Sequence, residues 1–313
     1  VLVEVERSGV VESAHRGIVV IVGEDGEVVH AWGEPDTAIY PRSTLKPLQA
    51  AGMLQAGLPL TGEWLALACA SHSGEPFHLQ GVQAMLASGG FDEADLQCPP
   101  DWPLGVEAER EYAAQGRGPA RIAMNCSGKH AAMLLTCRSR DWPVDTYLAP
   151  EHPLQRALRD KVEQTAGPIT MTSTDGCGAP LWGVSLVGLA RAFLTLPEVA
   201  PDVVGAMQAF PDHVGGTTRD VSQMMRGVTG LVTKDGAEAV QGISVEVDGR
   251  RFGVAVKIGD GSDRARPIVA AAVLRWLGVE AAVLQDQVRR PVLGGGRPVG
   301  EMRICDGVLA TSV

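Results

Sequence analysis

Residues 40–49 read YPRSTLKPLQ, and within them Ser43 and Lys46 stand three apart. On a helix that spacing puts two side chains on one face. A hydroxyl and an amine there would be a nucleophile beside a base able to take its proton. Alone, the pair equally fits an N-cap serine with a solvent-facing lysine, ahead of the amphipathic run Leu45, Leu48, Met53 and Leu54.

Four other segments surround polar side chains with small residues: CASHSGEP (69–76), NCSGKH (125–130), STDGCGAP (173–180) and VKIGDG (256–261). Such loops let backbone approach a ligand closely. In the last, Lys257 ends an apolar strand where Gly259 clears space. The chain has five lysines, and Lys46, Lys129 and Lys257 all lie in these segments or in the opening one. Arginine keeps its proton near neutral pH, whereas a buried lysine is able to lose it. In CASHSGEP, Ser73 is expected to cap the next helix with Glu75 in its first turn, which leaves Ser71 as a second hydroxyl for proton relay or attack. Cys126, Lys129 and Cys177 offer two thiols and an amine, a donor set that suits zinc. Spacing alone argues against a metal, since there is no C-x-x-C pair and lysine is a rare ligand.

The elements that must position these groups are legible in outline. Residues 17–22 and 27–32 read as a hairpin turned at Glu24, Asp25 and Gly26, and residues 242–247 and 251–257 as another turned at Asp248 and Gly249. Helical spacing covers residues 43–55, 63–70, 77–87, 127–137, 153–165, 184–194, 217–225 and 266–277. Strands at both ends around a helical middle predict an α+β fold rather than alternating βαβ units. No linker or repeat divides the chain, so residues 1–313 are expected to form a single catalytic domain.

Composition narrows the partner. The chain has 313 residues, 45% of them hydrophobic, and a net charge of −10 without a basic run. It has enough apolar residues for a well-filled core, and no electrostatic footprint for nucleic acid or an anionic membrane surface. The six cysteines show no disulfide framework and are expected to be reduced. No run is long enough to span a bilayer and VLVEVERSG is not a signal peptide, so the expected location is cytoplasmic. The given sequence starts at Val1 rather than Met.

Taken in order, VESAHRG, PRSTLKP, CASHSGE, NCSGKHAAM, TDGC and VKIGDG resemble the serine-dependent L-asparaginases of the Rhizobium etli type, the asparaginase II family. The resemblance covers most of the chain. It implies a fold similar to serine β-lactamases and penicillin-binding proteins, with a mostly antiparallel sheet of N- and C-terminal strands packed against a helical region. It also implies two serine-lysine pairs, Ser43 with Lys46 and Ser71 with Lys257, and a zinc site at Cys126, Lys129 and Cys177. The expected reaction is hydrolysis of L-asparagine to L-aspartate and ammonia through an acyl-enzyme, and the expected assembly is a homodimer. An asparagine zwitterion needs clamps for both α-groups. Arg42 and His130 are candidates for the α-carboxylate or for the amide end, Asp175 is the candidate for the ammonium, and His72 is a further substrate-binding candidate. Departures from β-lactamase motifs, Ser71-His72-Ser73 and Lys257-Ile258-Gly259, count against a β-lactam substrate. A glutaminase or other amidase of the same fold is the alternative, and a non-catalytic zinc or amino-acid binding module is a more distant one.

Overall fold

The computed structural model describes residues 1–309. Its strands are β1 (Val3–Arg7), β2 (Val10–His15), β3 (Gly17–Val22), β4 (Val28–Trp32) and β5 (Ala38–Ile39), followed by β6 (Met171–Thr174) and β7 (Pro180–Ser185). The rest follow late in the chain: β8 (Val232–Gly236), β9 (Val240–Val247), β10 (Arg250–Ile258), β11 (Arg289–Gly294) and β12 (Arg297–Ile304). Contacts divide the chain into two compact units, one of residues 1–44, 185–195 and 223–313, the other of residues 45–184 and 196–222.

The first unit holds two antiparallel sheets, ordered β4-β3-β10-β9-β8 and β11-β12-β1-β2. Along β10, alternation sends Phe252, Val254, Val256 and Ile258 to one face, where they share a core with Ile268, Val269 and Leu274 of the helix Arg266–Trp276. The opposite face carries Gly253, Ala255 and Lys257, and small residues are required there. A Cβ on Gly253 would lie 2.2 Å from the Ala190 carbonyl oxygen, and one on Gly242 would lie 2.0 Å from the Phe193 ring. Glycine therefore lets the start of the helix Leu186–Val199 settle directly on the sheet.

Helices dominate the second unit. The helices Gly62–Ala68 and Ser127–Ser139 pack closely, because a Cβ on Gly128 would meet the Leu67 carbonyl oxygen at 2.5 Å. That approach brings the start of the second helix to the segment that follows the first. The hairpin of β6 and β7 supplies the loop containing Asp175 and Cys177. Mixed helices and antiparallel sheets make the fold α+β.

Two local expectations change. The regular helix begins at Lys46, after a 3₁₀ turn Arg42–Leu45. Pro47 has no N–H and fits only in the first turn of a helix, and Ser43 does not cap it. The cap of the helix Pro76–Ser88 is Glu75 rather than Ser73, in a reciprocal box with His78. Pro76 at the first helical position fixes that start.

Candidate active site

Three groups surround Lys46, which is buried. Its Nζ donates to the Ala70 carbonyl and lies 3.2 Å from Ser71 Oγ and 3.1 Å from Cys126 Sγ. Backbone hydrogen bonds hold the segment around Ser71 in place. The Ser71 N–H donates to Val214 O (3.1 Å), His72 N–H to Asn125 O (3.1 Å) and Ser73 N–H to Gly215 O (2.7 Å). The Ala70 carbonyl can only accept, so a neutral Lys46 keeps a lone pair for the Ser71 hydroxyl or the Cys126 thiol.

The Cys126 and Cys177 thiols act on one another. Interaction with Cys126, with the Lys129 ammonium and His130 alongside, holds Cys177 well below the usual thiol range despite burial. Cys126 is pushed above that range, first by its interaction with Cys177 and then by burial. Lys129 Nζ lies 3.1 Å from Cys177 Sγ. Burial works against its charge, but Cys177, Cys126 and Asp175 outweigh it and hold the ammonium above its ordinary range.

Zinc was expected at this cluster, and its donors do converge. Among the described residues no group of three His, Cys, Asp or Glu could hold a metal, so the Lys129 amine would have to be the third protein donor. Two sulfurs and an amine fit zinc in kind, at the cost of a proton each from Lys129 and Cys126. None of the six cysteines is in a disulfide.

The expected substrate clamps divide. His72 is fully buried, and its Nε2 meets Ser127 Oγ at 2.9 Å while that hydroxyl donates to Ile122 O at 2.8 Å. His130 is fully buried on the Tyr147 hydroxyl, 2.8 Å from Nδ1, and burial lowers its pKa. Burial disfavours a charged imidazole at both positions, which counts against either histidine as a cationic clamp; the expectation of His130 at the amide end is untouched. Asp175 is half-buried beside Cys177, with Sγ to Oδ2 at 4.0 Å.

In the other unit Ser43 is half-buried on its 3₁₀ turn, directly after Arg42, whose φ of 56° lies in the left-handed region. Gly236 at the end of β8 abuts that turn. A Cβ there would sit 2.5 Å from Pro41 O and 3.3 Å from the Ser43 nitrogen. Lys257 Nζ donates to Glu238 O (2.5 Å) and Ile258 O (2.9 Å). Burial, helped by nearby Arg42 and opposed by Glu238 and Asp260, lowers its pKa. The structure thus gathers Lys46, Ser71, Cys126, Lys129 and Cys177 in one unit and Arg42, Ser43 and Lys257 in the other. Tyr147 was not anticipated, since nothing in the spacing of DTYLAP distinguishes its hydroxyl from that of a core tyrosine.

A family model for L-asparaginase II matches residues 3–304. The chain belongs to that family. Asparaginase II proteins are amidohydrolases, as the motif order implied, and the α+β expectation agrees with the fold. No curated protein matches this asparaginase II family member. Among solved structures it is similar to Mglu in its native form, at 16% identity and a TM-score of 0.41 over 82% of this chain and 62% of that one. It is also similar to a candidate beta-lactamase from Bacteroides dorei DSM 17855, at 13% identity and a TM-score of 0.43 over 83% and 92%. The chain spans about 62% of the Mglu chain. Among the described residues no helix is long and apolar enough to cross a membrane.

Proposed function

We propose that the protein hydrolyses the side-chain amide of L-asparagine to L-aspartate and ammonia through a serine acyl-enzyme. The reading rests on family membership, and the observation that carries its mechanism is the Lys46 amine 3.2 Å from Ser71 Oγ. Ser43 precedes Lys46 by three residues on one continuous helical run. It is the nucleophile in this scheme. Lys46 accepts the hydroxyl proton as Ser43 Oγ attacks the amide carbon, and Ser71 passes that proton to the departing ammonia. Water then attacks the ester, with the same groups acting in reverse. Lys257, whose charge is disfavoured first by burial and then by nearby Arg42, is the second base. Arg42 binds the α-carboxylate and Asp175 the α-ammonium.

Zinc, if held by Cys126, Lys129 and Cys177, would supply Lewis acidity for orienting the substrate. The protein is proposed to act as a cytoplasmic homodimer. Glutamine hydrolysis is the second reading, supported by the same serine-lysine chemistry. Fixed α-group clamps place the amide of asparagine, and one extra methylene displaces it by roughly 1 Å, which costs about a hundredfold.

Steady-state ammonia release from asparagine and glutamine, with Ser43→Ala and Ser71→Ala variants, tests the proposal. The expected result is a preference for asparagine of about a hundredfold in kcat/KM, and a loss of roughly 10²-fold or more in kcat for each folded variant. Equal kcat/KM on the two amino acids favours the glutaminase reading. Absence of ammonia from either would end the amidase assignment.

A further inference from the structure

Of the motifs that carried the resemblance, VESAHRG (11–17) has no part in the proposed reaction, yet each of its last three residues meets the loop that follows Lys257. The Arg16 carbonyl accepts from the Gly259 N–H at 2.7 Å. Gly17 pairs with Ile258, and a Cβ there would lie 2.4 Å from the Lys257 carbonyl oxygen, so glycine is needed for β3 to run this close to the end of β10. His15 is buried, with Nδ1 2.6 Å from Asp260 Oδ2 and Nε2 3.0 Å from Arg264 Nε. A guanidinium N–H can only donate, so Nε2 accepts and the ring donates from Nδ1 to the carboxylate. Arg264 is steadied in turn, since its Nη2 donates to Ser13 Oγ at 3.2 Å. The second Asp260 oxygen, Oδ1, accepts from the Ser262 N–H at 2.9 Å. With its side chain 49% exposed, Asp260 is held by these two bonds rather than by packing. The turn they brace is closed by the Gly261 N–H on the Ile258 carbonyl at 3.2 Å, and that same carbonyl accepts from Lys257 Nζ at 2.9 Å.

We propose that His15 is a positioning residue: through Asp260 it clamps the turn at 258–262, and so fixes the carbonyl that holds the Lys257 amine. Arg264 sets the orientation of the ring, and β2 supplies the anchor. Lys257 is the second base of the reading above, and the consequence for catalysis rests on that reading, whereas the clamp itself does not.

The test compares two substitutions that each keep one side of the ring. In His15→Asn the amide nitrogen stands where Nδ1 was and still donates to Asp260, whereas in His15→Gln the amide reaches the place of Nε2 and meets Arg264 alone. Hydrogen exchange at the Gly259, Gly261 and Ser262 amides is followed by NMR in the full-length protein, with Val254 in the middle of β10 as the reference, alongside kcat and KM for ammonia release from asparagine. In His15→Gln the three loop amides should exchange about tenfold or more faster with Val254 unchanged, and kcat should fall by roughly tenfold or more at an unchanged KM. His15→Asn should stay near the parent in both readouts. Equal behaviour of the two variants would overturn the proposal, as would exchange at Val254 accelerated to the same degree, or a loosened loop at the parent's kcat. Should His15→Gln fail to fold, Asp260→Ala takes its place, with the same expected pattern and the same overturning ones. A parent protein that releases no ammonia ends the asparaginase reading while the exchange comparison still decides the clamp, so the two failures are distinguishable.

Discussion

Lys46 sits among three groups that can each accept a hydrogen bond: a carbonyl, a hydroxyl and a sulfur. An ammonium satisfies all three, and a neutral amine satisfies two and takes a proton from the third. Lys46→Arg keeps the charge and a donor for Ala70 but cannot act as a base. Its kcat should therefore fall by roughly 10²- to 10⁴-fold while the melting temperature stays near that of the parent, both measured on one preparation. For the thiol cluster, Cys177→Ser should abolish whatever zinc the untreated protein carries, expected at about one ion per chain by elemental analysis; a parent free of zinc would remove the metal from the reading. Three-residue spacing singled out Ser43 with Lys46 and Cys126 with Lys129, although spacing alone did not decide the role of either pair. The contact of Ser71 with Lys46 joins residues 25 apart and was not expected, because the resemblance paired Ser71 with Lys257. The enclosure of the His130 ring was not legible, because the sequence shows only a polar ring beside a motif lysine.

At the level of elements, the glycines of β9 and β10 set how closely the Leu186–Val199 helix approaches the sheet. Gly253→Ala would push a methyl group against the Ala190 carbonyl, where no flexible side chain can yield. It should cost about 1–3 kcal/mol in urea unfolding. Gly205 lies exposed in the helix Pro201–Ala209 with nothing near its missing Cβ. The same substitution there should gain about 0.5–1 kcal/mol. A reversed order of the two midpoints would contradict this account of the sheet. The hairpins of β3 with β4 and of β9 with β10 were legible from β-branched runs around tight turns. The four-stranded sheet was not. VEVER alternates, but in strands this short and charged the apolar period is weak. β8 reads VTKDG and is buried throughout, with Lys234 and Asp235 paired at 2.5 Å, so no hydrophobic run marks it.

For the molecule as a whole, buried neutral histidines tie stability to pH. Burial, opposed by the bond to Asp212 O, lowers the His78 pKa from 6.5 to about 4, and His72, His130 and His213 are lowered too. Between those values the unfolded chain binds a proton at His78 that the native one refuses, so stability is complete above about pH 6.5 and declines toward pH 4. His78 alone accounts for about 3 kcal/mol. Urea unfolding between pH 7 and 4 should show the decline, and a folded His78→Gln should show a shallower one. The α+β class was legible because strands and helices segregate along the sequence. The division into two units was not, because the chain passes between them at residues 44, 184, 195 and 222 without any change of composition. That return of the chain also constrains the order of events during synthesis. Residues 45–184 leave the ribosome as one stretch, whereas β3 must wait for β10, more than 200 residues later, and Val3 of β1 for Ile304 of β12. Pairings of such separation form late. Pulse-labelled backbone amides should therefore become protected in the helix Ser127–Ser139 first, and in β1, β3 and β10 together at the end, leaving the earliest-made strands as the last to find their partners.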